Sequence, residues 1–216
     1  MGELHILILH QALALNGSAP GRRFFEIGRR LVREGHQVTV ITGNSELRLP
    51  LDGKKIGLLQ KEGVAFVVLD TGRPHSPNAS GRDESRRFAR RAARQGRKLP
   101  HFDLVLASSP PQPINRPAYT LSCFNKAPLI LEVREIGDLH LYAQESPLKK
   151  LLAPPLLRTA WKAYHRARSI IATSPETAAA AAGITPGKEV HLLPLELDFE
   201  NLFERFNRIL GSIIYR

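Results

Sequence analysis

The sequence predicts an α/β fold, a Rossmann-like parallel sheet with helices on both faces. Short apolar runs alternate with segments of helical periodicity along most of the 216 residues, and this alternation is typical of a parallel sheet. The first run, LHILILH at residues 4–10, is almost continuously apolar, as expected of a strand buried on both faces. Apolar residues make up 43% of the chain, which is enough for a sizeable core and argues against disorder.

The predicted elements follow one another at short intervals. A glycine-rich turn at residues 17–21 precedes a helix at residues 22–34, whose apolar side chains recur at helical spacing and whose end is followed by Gly35. Further strands are predicted at residues 37–42, 64–70, 103–107, 128–133, 169–173 and 189–193. Further helices are predicted at about residues 83–98 and 147–168, and after Ser174, which is placed to cap a helix that Gly183 closes.

The end of the chain has a distinct pattern, so we divide the chain into one domain, residues 1–198, and a C-terminal amphipathic helix, residues 199–216. Apolar side chains recur in this helix at three- and four-residue steps. Such a helix can pack back on its own domain, bind a partner chain or lie in a membrane interface. Packing within the chain is the simplest of the three.

The chain is strongly basic, and its charge is unevenly placed. The net charge is +11, and residues 82–98 alone carry +6, mostly as arginine. Arginine favours fork-like binding of phosphate or carboxylate groups. Arg86, Arg90, Arg94 and Arg97 form a stripe opposite a thin apolar face. This helix is either a solvated surface element or a contact for an anionic membrane or other anion, and nucleic acid is the least favoured partner.

Several classes of protein are disfavoured. The sequence contains no run of roughly 20 apolar residues and no basic segment before its first apolar run, so neither a membrane span nor a secretory signal is predicted. The single cysteine, Cys123, cannot form an internal disulfide. We expect no cofactor and no metal, because Cys/His pairs at ligand spacing are missing and NGSAPGRR matches neither dinucleotide nor P-loop patterns. The expected location is the cytoplasm, or the inner face of the plasma membrane.

Candidate binding residues follow the predicted strands, because ligands of open α/β sheets bind at the carboxyl ends of the strands. Four loops follow the carboxyl ends of predicted strands, at residues 11–22, 43–60, 108–116 and 134–146. The first brings Gly21, Arg22 and Arg23 to a helix start, which indicates either an anion site or a flexible turn with solvated arginines. The last is richer, and its polar pattern favours a binding site over a surface loop with compensating charges. Its polar residues are Glu132, Arg134, Glu135, Asp138, His140 and Tyr142.

Five blocks of sequence, in order, resemble the N-terminal domain of GT-B glycosyltransferases, specifically family 4 of the retaining nucleotide-sugar enzymes. The blocks are HILILHQ with GRRFFEIGRRLVREGHQVTVITG, then DLVLASSPPQP, LILEVREIGDL, RARSIIATSPET and HLLPLELD. The resemblance covers about residues 4–198. The subset that it resembles most builds bacterial surface polysaccharides on lipid-linked acceptors.

The resemblance implies that this domain faces the acceptor, while a further Rossmann-like domain holds the nucleotide-sugar. It implies that the acceptor cleft is lined from three segments, and the polar loop described above adds two more residues. These candidate cleft residues are Gly21, Arg23, Ser109, Pro110, Arg134, Glu135, Asp138 and His140. We assign no catalytic residue, and we expect no turnover by the chain alone, since the nucleotide-sugar would bind only through a partner that supplies the donor domain.

Two functions stay open. In the first, the chain is the acceptor-binding half of a sugar-transferring enzyme. In the second, it is a repurposed module that recognises a glycan or a lipid-phosphate without catalysis. The intact order of the blocks favours the first. The second is favoured by Glu135 in place of the family's aspartate, Gly137-Asp138 in place of Trp-Pro, and Leu195-Glu196 in place of the hinge Asn-Gly.

Overall fold

Alternating strands and helices build one mixed sheet between two layers of helices. The computed structural model describes residues 2–15, 19–47, 49–51, 53–72, 81–146, 149 and 152–214. Within these residues eight strands form a sheet in the order β3-β4-β2-β1-β5-β6-β7-β8. The strands are β1 His5–Leu9, β2 Gln37–Gly43, β3 Ile56–Lys61, β4 Val64–Leu69, β5 Leu104–Ser109, β6 Leu129–Val133, β7 Ser169–Ala172 and β8 Val190–Leu192. All neighbours pair in parallel except β3, which pairs antiparallel with β4.

The helices cover both faces of the sheet, as the sequence predicts. Within the described residues they are α1 Ala19–Arg33, α2 Asn44–Leu47, α3 Gly81–Gly96, α4 Asn115–Asn125, α5 Leu139–Gln144, α6 Pro155–Arg166, α7 Pro175–Ile184 and α8 Phe199–Ile214, with a 3₁₀ turn at Gln112–Ile114. Successive residues of β1 point to opposite faces, so Leu7 packs with α3 to α7, and Ile6 packs with α1 and α8. The predicted fold class is confirmed.

The C-terminal helix α8 completes the second face. Its apolar side chains Leu202, Phe203 and Phe206 are nearly inaccessible and share a core with α1. The guanidinium of Arg30 on α1 lies 5.3 Å from the centre of the Phe203 ring, which adds a cation–π contact between the two helices. The helix therefore packs within the chain, the simplest of the three predicted arrangements.

Several element predictions need correction. The predicted loop 43–60 contains α2 and most of β3, whose alternating exposure on a sheet edge gives a weak sequence signal. The predicted helix at 147–168 is not continuous, because Ala153 and Pro154 precede α6 in a non-helical conformation; residues 147, 148, 150 and 151 lie outside the described residues, as does Gly17. Helix α7 is capped by Ser174 as predicted, but it passes through Gly183 and ends at Ile184.

Candidate functional site

Polar side chains meet where β1, β5 and β6 end. These three strands are adjacent and parallel, so their carboxyl ends lie side by side. Each strand is followed or closed by a polar residue at that edge: His10 after β1, Ser109 at the end of β5, and Arg134 after β6. Ligands of open α/β sheets bind at this edge. The strand ends therefore define the candidate site.

A buried ion pair lies at the centre of this site. The Nη2 atom of Arg23 is 3.4 Å from Oε2 of Glu132, and the two side chains are only 7% and 3% exposed. Ser108, the register partner of Glu132 on β5, donates a hydrogen bond from Oγ to Oε1 of Glu132 at 3.0 Å. Burial lowers the pKa of Arg23, and the negative charge of Glu132 opposes that shift. The pair thus joins α1 to the middle of the sheet.

His10 is a second buried titratable group at the strand ends, at 4% exposure. Its ring stacks at a tilt on Phe24, with the ring centres 5.0 Å apart. Burial, together with the positive charge of Arg134, lowers the pKa of His10 to about 3. The imidazole is therefore neutral near pH 7. Neither ring nitrogen has a hydrogen-bond partner within the described part of the chain.

The backbone of Arg134 is held by hydrogen bonds, but its guanidinium has hydrogen-bond donors that are not used. Its N–H donates to the carbonyl of Ser109 at 2.8 Å, and its own carbonyl accepts from Oγ1 of Thr177 at 3.2 Å. Its Nη2 makes one long hydrogen bond of 3.4 Å to the carbonyl of Pro110. Its buried Nε has no partner among the residues described. Arg134 can therefore donate to a ligand. Arg23 differs in that its charge is paired with Glu132, although its Nε also has no partner among the residues described.

Gly21 lies in the first turn of α1, not in a loop as the sequence suggested. A Cβ atom at this position would lie 3.0 Å from the carbonyl oxygen of Ala12 and 3.1 Å from the backbone nitrogen of Ala14. The absence of a side chain therefore lets the segment after β1 pack directly on α1. Of the two arginines that follow, Arg22 pairs with Glu26 on the exposed side, and Arg23 alone turns to the strand ends.

The loops after β5 and β6 are tied to each other. Both peptide bonds preceding Pro110 and Pro111 are cis. Gln112 donates from Nε2 to the carbonyl of Ile136 at 3.1 Å. Gly137 adopts a φ of +57° directly beneath that amide, where a Cβ would lie 2.6 Å from Nε2. Close packing thus accounts for a glycine at a position where the resembling family has tryptophan.

The remaining candidates of the polar loop lie at the surface. Glu135, Asp138 and His140 are exposed. Nδ1 of His140 lies 2.7 Å from the carbonyl oxygen of Gly137. The side chains of Glu135 and Asp138 make no hydrogen bond or ion pair within the described part of the chain. The structure therefore brings Arg23, Ser109 and Arg134 together at the strand ends but leaves these three residues further out on the rim.

Two residues of the cluster were not among the sequence candidates, and a third was placed in the wrong element. His10 and Ser108 end apolar runs, and a polar residue at the carboxyl end of a buried strand is the signal that could have found them. Glu132 was assigned to the polar loop, although it is the fourth residue of β6 and is buried. A carboxylate inside an apolar strand indicates a buried partner, but the sequence does not say which.

The arginine stripe of α3 lies away from the cluster. Arg86, Arg90 and Arg94 are exposed on the helix, and Arg97 is exposed in the turn after it. The opposite face of α3 is buried through Phe88 and three alanines. Over the described residues, no helix combines the length and apolarity needed to cross a bilayer, and no group of three or more His, Cys, Asp or Glu side chains is arranged to hold a metal ion.

The eight-stranded sheet covered by helices on both faces is a GT-B-like single domain, and comparison with known proteins specifies the family. The sequence model described as a glycosyl transferase 4-like domain matches residues 18–196. The chain belongs to that family, in agreement with the resemblance seen in the sequence. The comparison with curated protein sequences finds no match.

Several solved structures align with this chain over most of its length. A sucrose-phosphate synthase chain from Thermosynechococcus elongatus aligns with a TM-score of 0.59 and 13% identity, over 96% of this chain and 98% of that one. The catalytic domain of starch synthase IV from Arabidopsis thaliana aligns with a TM-score of 0.57 and 9% identity, over 88% and 52%. HepE from Anabaena, in complex with UDP and glucose, aligns with a TM-score of 0.52 and 17% identity, over 98% and 51%. At these identities the likeness shows the fold, and the chain spans about half the length of the last two.

Proposed function

We propose that this chain is the acceptor-binding half of a nucleotide-sugar-dependent glycosyltransferase. The observation that carries the proposal is the convergence of His10, Arg134 and the Arg23–Glu132 pair at the carboxyl edge of the sheet, in a chain of a glycosyltransferase family. Acceptors carry hydroxyl groups, and these pair with neutral imidazole and with guanidinium donors.

The three parts of the cluster have different roles in this proposal. Arg134 donates to the acceptor, because among the residues described its guanidinium makes only one long hydrogen bond. His10 offers one donor and one acceptor nitrogen to a hydroxyl, since it is neutral and unpartnered within the described residues. Arg23 acts through Glu132 as a positioning residue, because its charge is already neutralised inside the protein.

The donor sugar requires a second domain in this proposal. The match to about half the length of starch synthase IV and of HepE supports a division in which residues 1–216 supply one of two halves. A donor-domain partner would bind the nucleotide-sugar, and the chain alone would be inactive. Bacterial surface polysaccharide synthesis on a lipid-linked acceptor, at the inner face of the plasma membrane, is the setting that we propose. The exposed arginine stripe of α3 supports contact with anionic lipid.

A second candidate function is a glycan- or lipid-phosphate-binding module without catalysis. One observation favours it: the charge of Arg23, which the resembling family places near the cleft, is paired with buried Glu132, so this arginine is less able to serve a transfer reaction. Exposed Glu135 and Asp138 on the rim are compatible with weak glycan contacts.

Transfer assays distinguish the two functions. The chain is purified together with the donor-domain protein that it binds, and transfer from radiolabelled nucleotide-sugars to lipid-linked acceptors is measured. We expect Arg134→Gln to lower transfer by about tenfold or more, as expected for the loss of a charge-assisted hydrogen bond. Arg33→Gln, which removes an exposed arginine on the far end of α1, is the matched control. Equal activity of the Arg134→Gln and Arg33→Gln proteins would exclude Arg134 from the acceptor site.

A further inference from the structure

A surface groove lies between the arginine-rich helix α3 and the starts of α4 and α6. Its volume is about 830 Å³, which is within the range of small-molecule sites. The walls combine four arginines, Arg86, Arg87, Arg90 and Arg116, with a proline and leucine surface at residues 154–156. The groove is distinct from the cluster at the strand ends, since none of His10, Arg23 or Glu132 lines it.

The charge of the groove is strongly positive. Asp83 is the only carboxylate among the described residues that line it, and it lies 3.7 Å from Arg86. Arg87 is held in place, because its Nε donates to the carbonyl of Thr71 at 2.8 Å. Arg90 and Arg116 make no hydrogen bond or ion pair within the described part of the chain. Two guanidiniums, presented from two different helices, are therefore available to one ligand.

The start of α6 adds to the positive field. Pro154 occupies the N-cap position of this helix, and it provides no side-chain hydrogen bond to the first backbone amides. A helix start without a side-chain cap attracts anions. The effect is secondary to that of the arginines, but it has the same sign and faces the same groove.

The groove continues toward the candidate acceptor site. A second cavity of about 460 Å³ shares Arg86 and Pro113 with the groove and extends to Gln112 and Asp138. Gln112 is hydrogen-bonded to the loop after β6. A ligand held by the arginines can thus extend along the surface to the rim of the strand-end site.

We propose that this groove binds a phosphate or diphosphate ester through Arg90 and Arg116. The guanidinium fork matches the paired oxygens of such a group, and the apolar wall suits the carbon skeleton attached to it. The identity of this ligand as the acceptor rests on the proposed function: the phosphate end of the acceptor would lie in the groove, and its sugar end would reach the strand-end site. The arginine stripe is then divided, since Arg90 belongs to the groove while Arg94 and Arg97 do not line it.

Direct binding tests the groove without any need for sugar transfer. Inorganic pyrophosphate, glucose 1-phosphate and geranyl diphosphate are titrated into the protein by calorimetry at low salt. We expect the Arg90→Gln/Arg116→Gln protein to bind the preferred probe about tenfold more weakly or worse, because two charge-assisted contacts are lost. The Arg94→Gln/Arg97→Gln protein, with the same change of net charge, is expected to bind within about twofold of the original. A preference for geranyl diphosphate indicates a lipid carrier as the source, and a preference for glucose 1-phosphate indicates a soluble sugar phosphate.

The outcomes separate the groove from general surface charge and from the proposed function. Equal weakening in both double variants, or no binding of any of the three probes, would overturn the proposal. Binding only to phosphatidylglycerol-containing vesicles would do the same and would favour the stripe as a membrane contact. Thermal unfolding checks that the variants are folded, and Arg90→Lys/Arg116→Lys, which keeps the charge but loses the fork, is expected to bind a few-fold more weakly. Selective loss of binding, combined with a lack of sugar transfer by any complex, would retain the groove and reject the glycosyltransferase function.

Discussion

Replacement of Glu132 by leucine removes the carboxylate that neutralises Arg23, and it tests whether this pair holds the site together. Both side chains are buried, at 3% and 7% exposure, and their closest charged atoms are 3.4 Å apart. At an effective dielectric constant of about 20, two unit charges at 3.4 Å attract each other by about 5 kcal/mol. Because desolvation offsets part of this attraction, the pair itself contributes far less than that to stability.

Removal of one partner lowers the free energy of unfolding by more than the pair contributes, because the other charge then stays buried without a counter-charge. Loss of one member of a buried pair typically costs about 3–5 kcal/mol. Glu132→Leu also deprives Ser108 of its acceptor, while the carbonyl of Pro194 and the charge of Glu196 still favour Arg23. We therefore expect a loss of about 3 kcal/mol, at the lower end of that range. Arg23→Met should cost a similar amount, because it leaves Glu132 buried and unpaired.

A double-mutant cycle gives the test its sharpest form. The free energy of unfolding is measured by urea denaturation, with the fluorescence of Trp161, the single tryptophan, as the probe. We expect the Arg23→Met/Glu132→Leu protein to lose only about 1–2 kcal/mol, so that the coupling energy, relative to two single losses of about 3 kcal/mol each, is about 4–5 kcal/mol. The exposed pair Glu204–Arg208 is the control, and Glu204→Gln should cost less than about 1 kcal/mol. Additive single effects at Arg23 and Glu132 would refute the reasoning, because they would mean that the two charges are solvated separately.

Four further predictions concern stability. Burial depresses the pKa of His10 from 6.5 to about 3, so as pH falls the unfolded chain takes up a proton before the folded one. From this group alone, the free energy of unfolding at pH 7.5 should exceed that at pH 5 by about 2 kcal/mol. His10→Phe should remove that contribution, as measured by urea titrations at the two pH values. Gly21→Leu should lower stability by about 1–3 kcal/mol in thermal unfolding, because the leucine side chain would press on the backbone of Ala12. Gly211 lies inside α8 with open space around it, and Gly211→Ala should instead raise stability by about 0.5–1 kcal/mol. Ser174→Ala should cost about 1 kcal/mol through loss of the hydrogen bond that caps α7, and an unchanged melting temperature would contradict that role.

The sequence predicted the parts of the fold that depend on local pattern. The strands of the sheet centre are continuous apolar runs, and the alternation between Leu7 and Ile8 toward opposite faces follows from strand geometry. Gly35 ends α1 with a φ of +90°, and Ser174 caps α7. The edge strand β3 was not predicted. Its residues alternate between exposed and partly buried, and its apolar residues are interrupted by glycine and followed by polar residues, so its apolar run is short.

The candidate site was predictable only in outline. Topology alone places loop residues at the carboxyl edge, and Arg134 was found in this way. The partnership of Arg23 with Glu132 joins residues that are more than a hundred positions apart, and it depends on the register of β5 and β6 and on the face that α1 turns to the sheet. His10 was not predicted, because the sequence does not show that a histidine after an apolar run is buried. Its burial depends on Phe24 of α1, whose ring packs against the imidazole in the folded chain.

The central claim is that this chain forms the acceptor half of a sugar-transferring enzyme. Reconstitution of the enzyme from its two halves tests that claim most directly. The tagged chain is isolated from its native cells, co-purifying proteins are identified by mass spectrometry, and transfer from radiolabelled nucleotide-sugars is measured for the chain alone and for the recovered complex. The account predicts a stoichiometric partner with a nucleotide-sugar-binding domain, transfer by the complex, and none by the chain alone. Transfer by the purified chain alone would contradict the division of labour, and a recovered complex without transfer or without a donor domain would contradict the enzymatic function.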